Sequence, residues 1–178
     1  YELVTRGYLA SIEKHTNFND IDSLMLKLEM RAEDEGHNDK YFYTDKICLC
    51  VGLNDSLDTI KEVMKFHKVN IVHVDCPNAY IPKLKDRVKE VRELLPEAFM
   101  IAGVVVTSDL TTDLVNMGVN CASMFINSGS VCRTAERTAV YRPLLSTIID
   151  CADAAHQQNA YVLASGGIKG CREACIAF

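Results

Sequence analysis

Short apolar, β-branched runs recur along the chain at residues 8–12, 47–53, 71–75, 100–106, 121–126 and 161–165. Each is continuous rather than alternating, which predicts strands buried on both faces. Between them the period changes. Residues 20–32 set Ile21, Leu24, Leu26 and Leu28 among charges, and residues 57–67 place Ile60, Val63, Met64 and Phe66 at helical spacing. Both segments predict helices with one apolar face. Residues 83–95 continue the alternation and stop before Pro96. Ser108 is the expected N-cap of a helix over 109–117, Gly118 its stop, and Pro143 the opening of a helix over 144–157.

Strand starts lie roughly 20 to 40 residues apart, the repeat of βαβ units and hence of a parallel sheet covered by helices. Doubly wound sheets and eight-stranded barrels share this pattern. In either fold the chemistry sits at the C-terminal ends of the strands. The connections to inspect therefore follow Asp75, Val106, Ile126 and Ser165. Residues 127–142 form a connection longer than structural loops usually run, and it holds Ser128, Gly129, Ser130, Cys132 and Thr134.

Composition narrows the function. The chain of 178 residues is 48% hydrophobic and 24% charged, which is enough apolar material for one globular domain spanning residues 1–178. Its formal charge of −5 is scattered without long runs, so neither nucleic acid nor an anionic membrane is an expected partner. No apolar run reaches membrane-helix length, and no signal-peptide layout is present, so a cytoplasmic protein is expected. Eight cysteines occur mostly in apolar patterned segments, which predicts buried thiols rather than disulfides or a zinc site. Cys132 differs because it lies in a polar loop on the predicted catalytic rim, where a nucleophile is placed. The hydroxyls and glycine before it, and Ser165-Gly166-Gly167 ahead of a helix holding Arg172, suit a phosphorylated ligand.

The run Gly129-Ser130-Val131-Cys132-Arg133-Thr134, with the stretch from Arg142-Pro143-Leu144 through Cys151-Ala152-Asp153-Ala154-Ala155-His156, resembles the active-site loop and next helix of the IMP dehydrogenase and GMP reductase family. Ala10-Ser11-Ile12-Glu13-Lys14-His15, Asp75-Cys76-Pro77-Asn78-Ala79-Tyr80, Ala102-Gly103-Val104-Val105-Val106-Thr107 and Ser165-Gly166-Gly167 agree in order. The resemblance implies an α/β fold, a (β/α)8 TIM barrel of which about six units, the second to seventh strands, are present. Residues 36–46 leave no room for the regulatory domain that dehydrogenases of the family insert, which favours the reductase branch.

For the chemistry, the resemblance implies NADPH-dependent reductive deamination of GMP to IMP and ammonia through a cysteine thioimidate. Cys132 would be the nucleophile and Thr134 the proton-transfer hydroxyl. Ser130, Ser165, Gly166 and Gly167 would hold the nucleotide, and Lys14, Asp75, Asn78 and Tyr80 would face the cofactor. Carbonyls of Gly129 and Cys132 would bind a monovalent cation, potassium. A homo-tetramer is the expected assembly. Several positions depart from the family pattern: Val104 replaces an asparagine, Phe125 and Asn127 replace glycines, Ser165 an aspartate, Glu13 a histidine and Ala79 a glycine. These departures motivate an alternative expectation, a catalytically degenerate member acting as a purine-nucleotide-binding or oligomeric scaffold protein.

Overall fold

The computed structural model of the protein describes residues 2–124 and 132–178. Helices and strands alternate as α1 (Glu2–Thr5), β1 (Ala10–Ile12), α2 (Phe18–Asp34), β2 (Ile47–Val51), α3 (Leu57–Phe66), β3 (Ile71–Asp75), α4 (Pro82–Leu94) and β4 (Phe99–Gly103). They continue as α5 (Ser108–Asn116), β5 (Cys121–Met124), α6 (Thr134–Thr138), α7 (Leu144–His156), β6 (Tyr161–Ala164) and α8 (Cys171–Ala177). The strands follow one another in the sheet in chain order, and the pairs β1 with β2, β4 with β5 and β5 with β6 are parallel. A doubly wound sheet reverses its strand order at a switch point, whereas a barrel does not. The fold class is therefore α/β, and these six units are part of a (β/α)8 barrel.

The residues group into two compact units, Tyr1–His73 with Val91–Phe99, and Val74–Glu90 with Met100–Phe178. In the first, α2 opens at Asn17, whose side chain accepts the Asp20 N–H at 2.9 Å. The helix buries Ile21, Met25, Leu28 and Ala32. Leu26, expected in the apolar stripe, is exposed, because a 3.6-residue period starting at Ile21 passes through Met25 and Leu28 instead. Phe66 is likewise outward while Ile60, Val63 and Met64 face inward. At the end of α4, Arg92 Nη1 donates to the carbonyls of Leu95, Pro96 and Ala98 at 3.2, 2.9 and 2.9 Å, closing the turn into β4.

A buried polar cluster joins α2 to the end of α3. His67 places Nδ1 2.9 Å from a Glu29 oxygen and Nε2 3.0 Å from Asp22, and Lys40 pairs with Glu29 at 2.9 Å. Both His67 and Glu29 are buried. Replacing His67 by Leu is expected to cost about 2 kcal/mol, because the buried Glu29 carboxylate loses a close hydrogen-bond partner. Urea denaturation of the variant against the parent measures it.

In the second unit, β5 is buried along its whole length. Helix α7 packs against α5, β5 and β6. Strand β6 was expected to be covered on both faces, yet Tyr161 and Leu163 are exposed, so its inside-outside pattern alternates with the strand period of two. The N-cap of α5 is Thr107 rather than Ser108, which is the first helical residue. The Thr107 hydroxyl makes no cap bond and pairs with the Tyr80 hydroxyl instead.

The cysteines divide by environment. Cys48, Cys76, Cys121 and Cys151 are buried, Cys50 and Cys132 half-buried, and none of the eight is disulfide-bonded. Cys171 and Cys175, expected to be buried, are exposed on α8, where no described residue of that helix is buried. Burial pushes the Cys48 thiol up to about 11, against a lowering hydrogen bond from Ser11. Burial raises Cys151 too. Such thiols stay protonated and inert at neutral pH.

Candidate functional site

The ends of β3 and β4 are laced together. Cys76 N–H donates to Gly103 O at 2.9 Å, Val104 N–H to Cys76 O at 2.8 Å, and Ala79 N–H to Val104 O at 3.0 Å. Asn78 uses its side-chain oxygen to accept the Tyr80 N–H at 3.0 Å, and its main-chain oxygen lies 3.3 Å from the Cys76 sulfur, a tight Asx-type turn. This fixes the loop from Asp75 to Tyr80, with Asp75 half-buried and Tyr80 exposed. The lacing continues across the unit: Val105 N–H donates to Ser123 O at 2.9 Å and Ser165 N–H to Met124 O at 3.1 Å.

Cys132 lies just before α6, and Thr134 is that helix's first residue; both are half-buried. Beyond β4 the chain runs through buried Val104 and Val106, and Ala135 and Val140 pack on that apolar pair. The Thr138 hydroxyl donates to Thr134 O at 2.8 Å and accepts the Val140 N–H at 3.3 Å, and Ala139 takes a left-handed turn at φ 55°. Arg142 Nη1 donates to Val106 O at 3.2 Å, and Nη2 pairs with Asp150 of α7. The segment bearing Cys132 and Thr134 is thus seated on the C-terminal end of β4, where a (β/α) barrel carries its chemistry.

Ser165 is half-buried and is followed by Gly166 and Gly167 at φ 79° and 75°, values that side chains adopt only with strain. The glycine pair lets the chain turn sharply between β6 and α8. Gly167 also borders an apolar cavity of about 170 Å³ lined by Leu144, Leu145, Ile148, Ile168 and Ile176. Ser130 and Gly129, assigned to phosphate and cation binding, lie outside the described residues, as do Phe125 and Asn127. Among the described residues no group of three or more His, Cys, Asp or Glu side chains could hold a metal ion.

Lys14 belongs to the first unit. It lines a cavity of about 220 Å³ with Glu13, Thr16, Asp55 and Ser56 over a floor from β2 that includes Leu49 and Val51. Its mixed charge above an apolar floor suits part of an amphipathic ligand, and its volume is below that of a whole-cofactor site.

Sequence reasoning missed the seat itself. α6 lies inside what reads as a long loop, and neither Val104 with Val106 nor Arg142 was singled out as holding the cysteine segment. The available signal was the short apolar run Ala139-Val140-Tyr141 with Ala135 one helical turn before it, set among Arg133, Glu136, Arg137 and Arg142.

Fold and site together define a parallel α/β barrel protein with a half-buried thiol seated at a strand's C-terminal end. The family model for the IMP dehydrogenase / GMP reductase domain matches residues 30–178, and the chain belongs to that family. It is 38% identical over 114 residues to a GMP reductase of Shewanella pealeana, covering 64% of this chain and 33% of the relative. A GMP reductase of Vibrio vulnificus is 30% identical over 178 residues, 99% of this chain and 48% of the relative. GMP reductase 2 of Bos taurus is 37% identical over 100 residues, 56% of this chain and 29% of the relative. The chain thus spans between about a third and a half of the length of these relatives. Among the described residues no helix is long and apolar enough to cross a membrane.

Proposed function

We propose that the chain contributes the nucleophile-bearing part of a purine-nucleotide oxidoreductase that converts GMP to IMP and ammonia at the expense of NADPH. Support comes from relatives named GMP reductase and from one geometric observation, the seating of the Cys132 and Thr134 segment on Val104 and Val106. In this reading the Cys132 thiolate adds to carbon 2 of the guanine ring. Thr134 Oγ1 relays a proton from solvent to the exocyclic amine, which leaves as ammonia, and the base stays bound to sulfur as a thioimidate. NADPH, when bound, supplies the hydride that carbon 2 accepts as the C–S bond breaks and the thiolate is released with IMP. Covalent attachment divides a difficult displacement into two easier steps.

The remaining assignments follow the same reading. Ser130, Ser165, Gly166 and Gly167 hold the nucleotide, with Ser165 offering the ribose a neutral hydroxyl in place of a carboxylate. Asp75, Asn78 and Tyr80 face the cofactor, and Lys14 engages its polar end. Potassium on the carbonyls of Gly129 and Cys132, a cytoplasmic setting and a tetramer complete it.

The test is NADPH oxidation by the full-length polypeptide, followed at 340 nm with and without GMP. Oxidation that requires GMP and releases ammonia supports the proposal. A folded protein that binds GMP calorimetrically without consuming NADPH is the degenerate scaffold, and one that binds neither GMP nor IMP ends both readings.

A further inference from the structure

We propose that Arg142 is a positioning residue, a latch that sets where Cys132 and Thr134 sit relative to the end of β4. The inference rests on Cys132 being the nucleophile. The segment 132–142 has little structure of its own. Its helix, Thr134–Thr138, is far too short to persist alone, and the turn after it passes through a left-handed alanine. Its position therefore comes from tertiary anchors. Ala135 and Val140 supply a small apolar contact on Val104 and Val106, which holds the segment down without fixing its register.

Direction comes from Arg142. One guanidinium nitrogen donates to the Val106 carbonyl at 3.2 Å, and another pairs with the Asp150 carboxylate on α7. The planar fork reaches a strand-end carbonyl and a helix carboxylate at once, a geometry that a lysine ammonium does not reproduce. Pro143 follows directly and caps α7, so the chain leaves the latch along a set path. The ion pair is half-exposed, its side chains 30% and 45% accessible, and pairs of that kind add little to global stability. Its consequence is local placement of the segment.

The test is Arg142→Ala in the full-length polypeptide, with Asp150→Asn as the milder second variant that keeps the bond to Val106. Iodoacetamide labelling is read at Cys132 by peptide mass spectrometry, with buried Cys48 as the internal control. Arg142→Ala is expected to label Cys132 about threefold to tenfold faster, with faster hydrogen exchange over 133–142, because the half-buried thiol becomes reachable through local opening. Cys48 labelling and the urea midpoint stay at parent values. Asp150→Asn falls between parent and Arg142→Ala, and Arg142→Lys restores part of the difference. With GMP and NADPH, kcat falls while KM for GMP changes little. Unchanged Cys132 labelling in Arg142→Ala overturns the latch, as does a rise matched by Cys48 and by a lower midpoint. A parent protein that never oxidises NADPH, yet shows the labelling response, removes the reductase reading and leaves the latch standing.

Discussion

Replacing Gly103 by alanine is expected to destabilise the second unit by about 3 kcal/mol or more, among the largest losses that any single added methyl produces. A Cβ built at this position would lie 2.3 Å from the Ser123 carbonyl oxygen and 2.9 Å from the Ser123 Cβ. Both neighbours belong to β5, where Ser123 is paired in register with Gly103 and its carbonyl already accepts the Val105 N–H. Neither moves without breaking the ladder, so relief requires β4 and β5 to separate. The same glycine's carbonyl accepts from Cys76, and any shift passes to the loop from Asp75 to Tyr80. Urea denaturation followed by circular dichroism measures the loss, and a midpoint within error of the parent would show that the strands part without cost.

If the proposed reaction holds, Cys132→Ser is expected to lower GMP-dependent NADPH oxidation by about 10³-fold or more, because a serine hydroxyl at neutral pH cannot replace the thiolate that the proposed mechanism requires. The substitution nearly keeps volume, and the contacts of Ala135, Val140 and Arg142 that seat the segment are retained. GMP affinity by calorimetry should therefore change little while turnover disappears. Retained turnover would move the nucleophile elsewhere. The buried cysteines are poor substitutes, since burial holds Cys48 and Cys151 in the neutral form.

Much of the fold was legible because its signals are local. Strand β3 occupies residues 71–75 as its apolar run predicts, and α3 and α4 start within a residue of their expected positions. Asn17 and Ser56 cap α2 and α3 with their own side chains, and although neither was among the expected caps, each bond spans only three residues. The glycines after Ser165 were legible for the same reason: two adjacent positive φ values demand them.

What escaped was set by partners distant in sequence. Thr107, not Ser108, sits at the α5 cap position, and its hydroxyl is taken by Tyr80, 27 positions away, instead of capping the helix. The outward turn of Leu26 and Phe66 follows from which helical stripe met the sheet. α6 is too short to announce itself, and it exists on the apolar ground of Val104 and Val106.

By itself the sequence determined the α/β class, the repeat of strand and helix, and the placing of Cys132 after a strand's end, since periodicity and turn chemistry act over a few residues. Periodicity left the barrel and the open sheet equal, the family resemblance implied the barrel, and the strand order bore it out. Tertiary structure alone decided the alternating exposure of β6 and the seat that Val104, Val106 and Arg142 make for the cysteine segment. Those outcomes depend on side chains 30 or more positions apart meeting in space, Arg142 and Val106 among them. No local pattern encodes such a meeting, because it is the packing of whole elements that brings the two atoms within bonding distance.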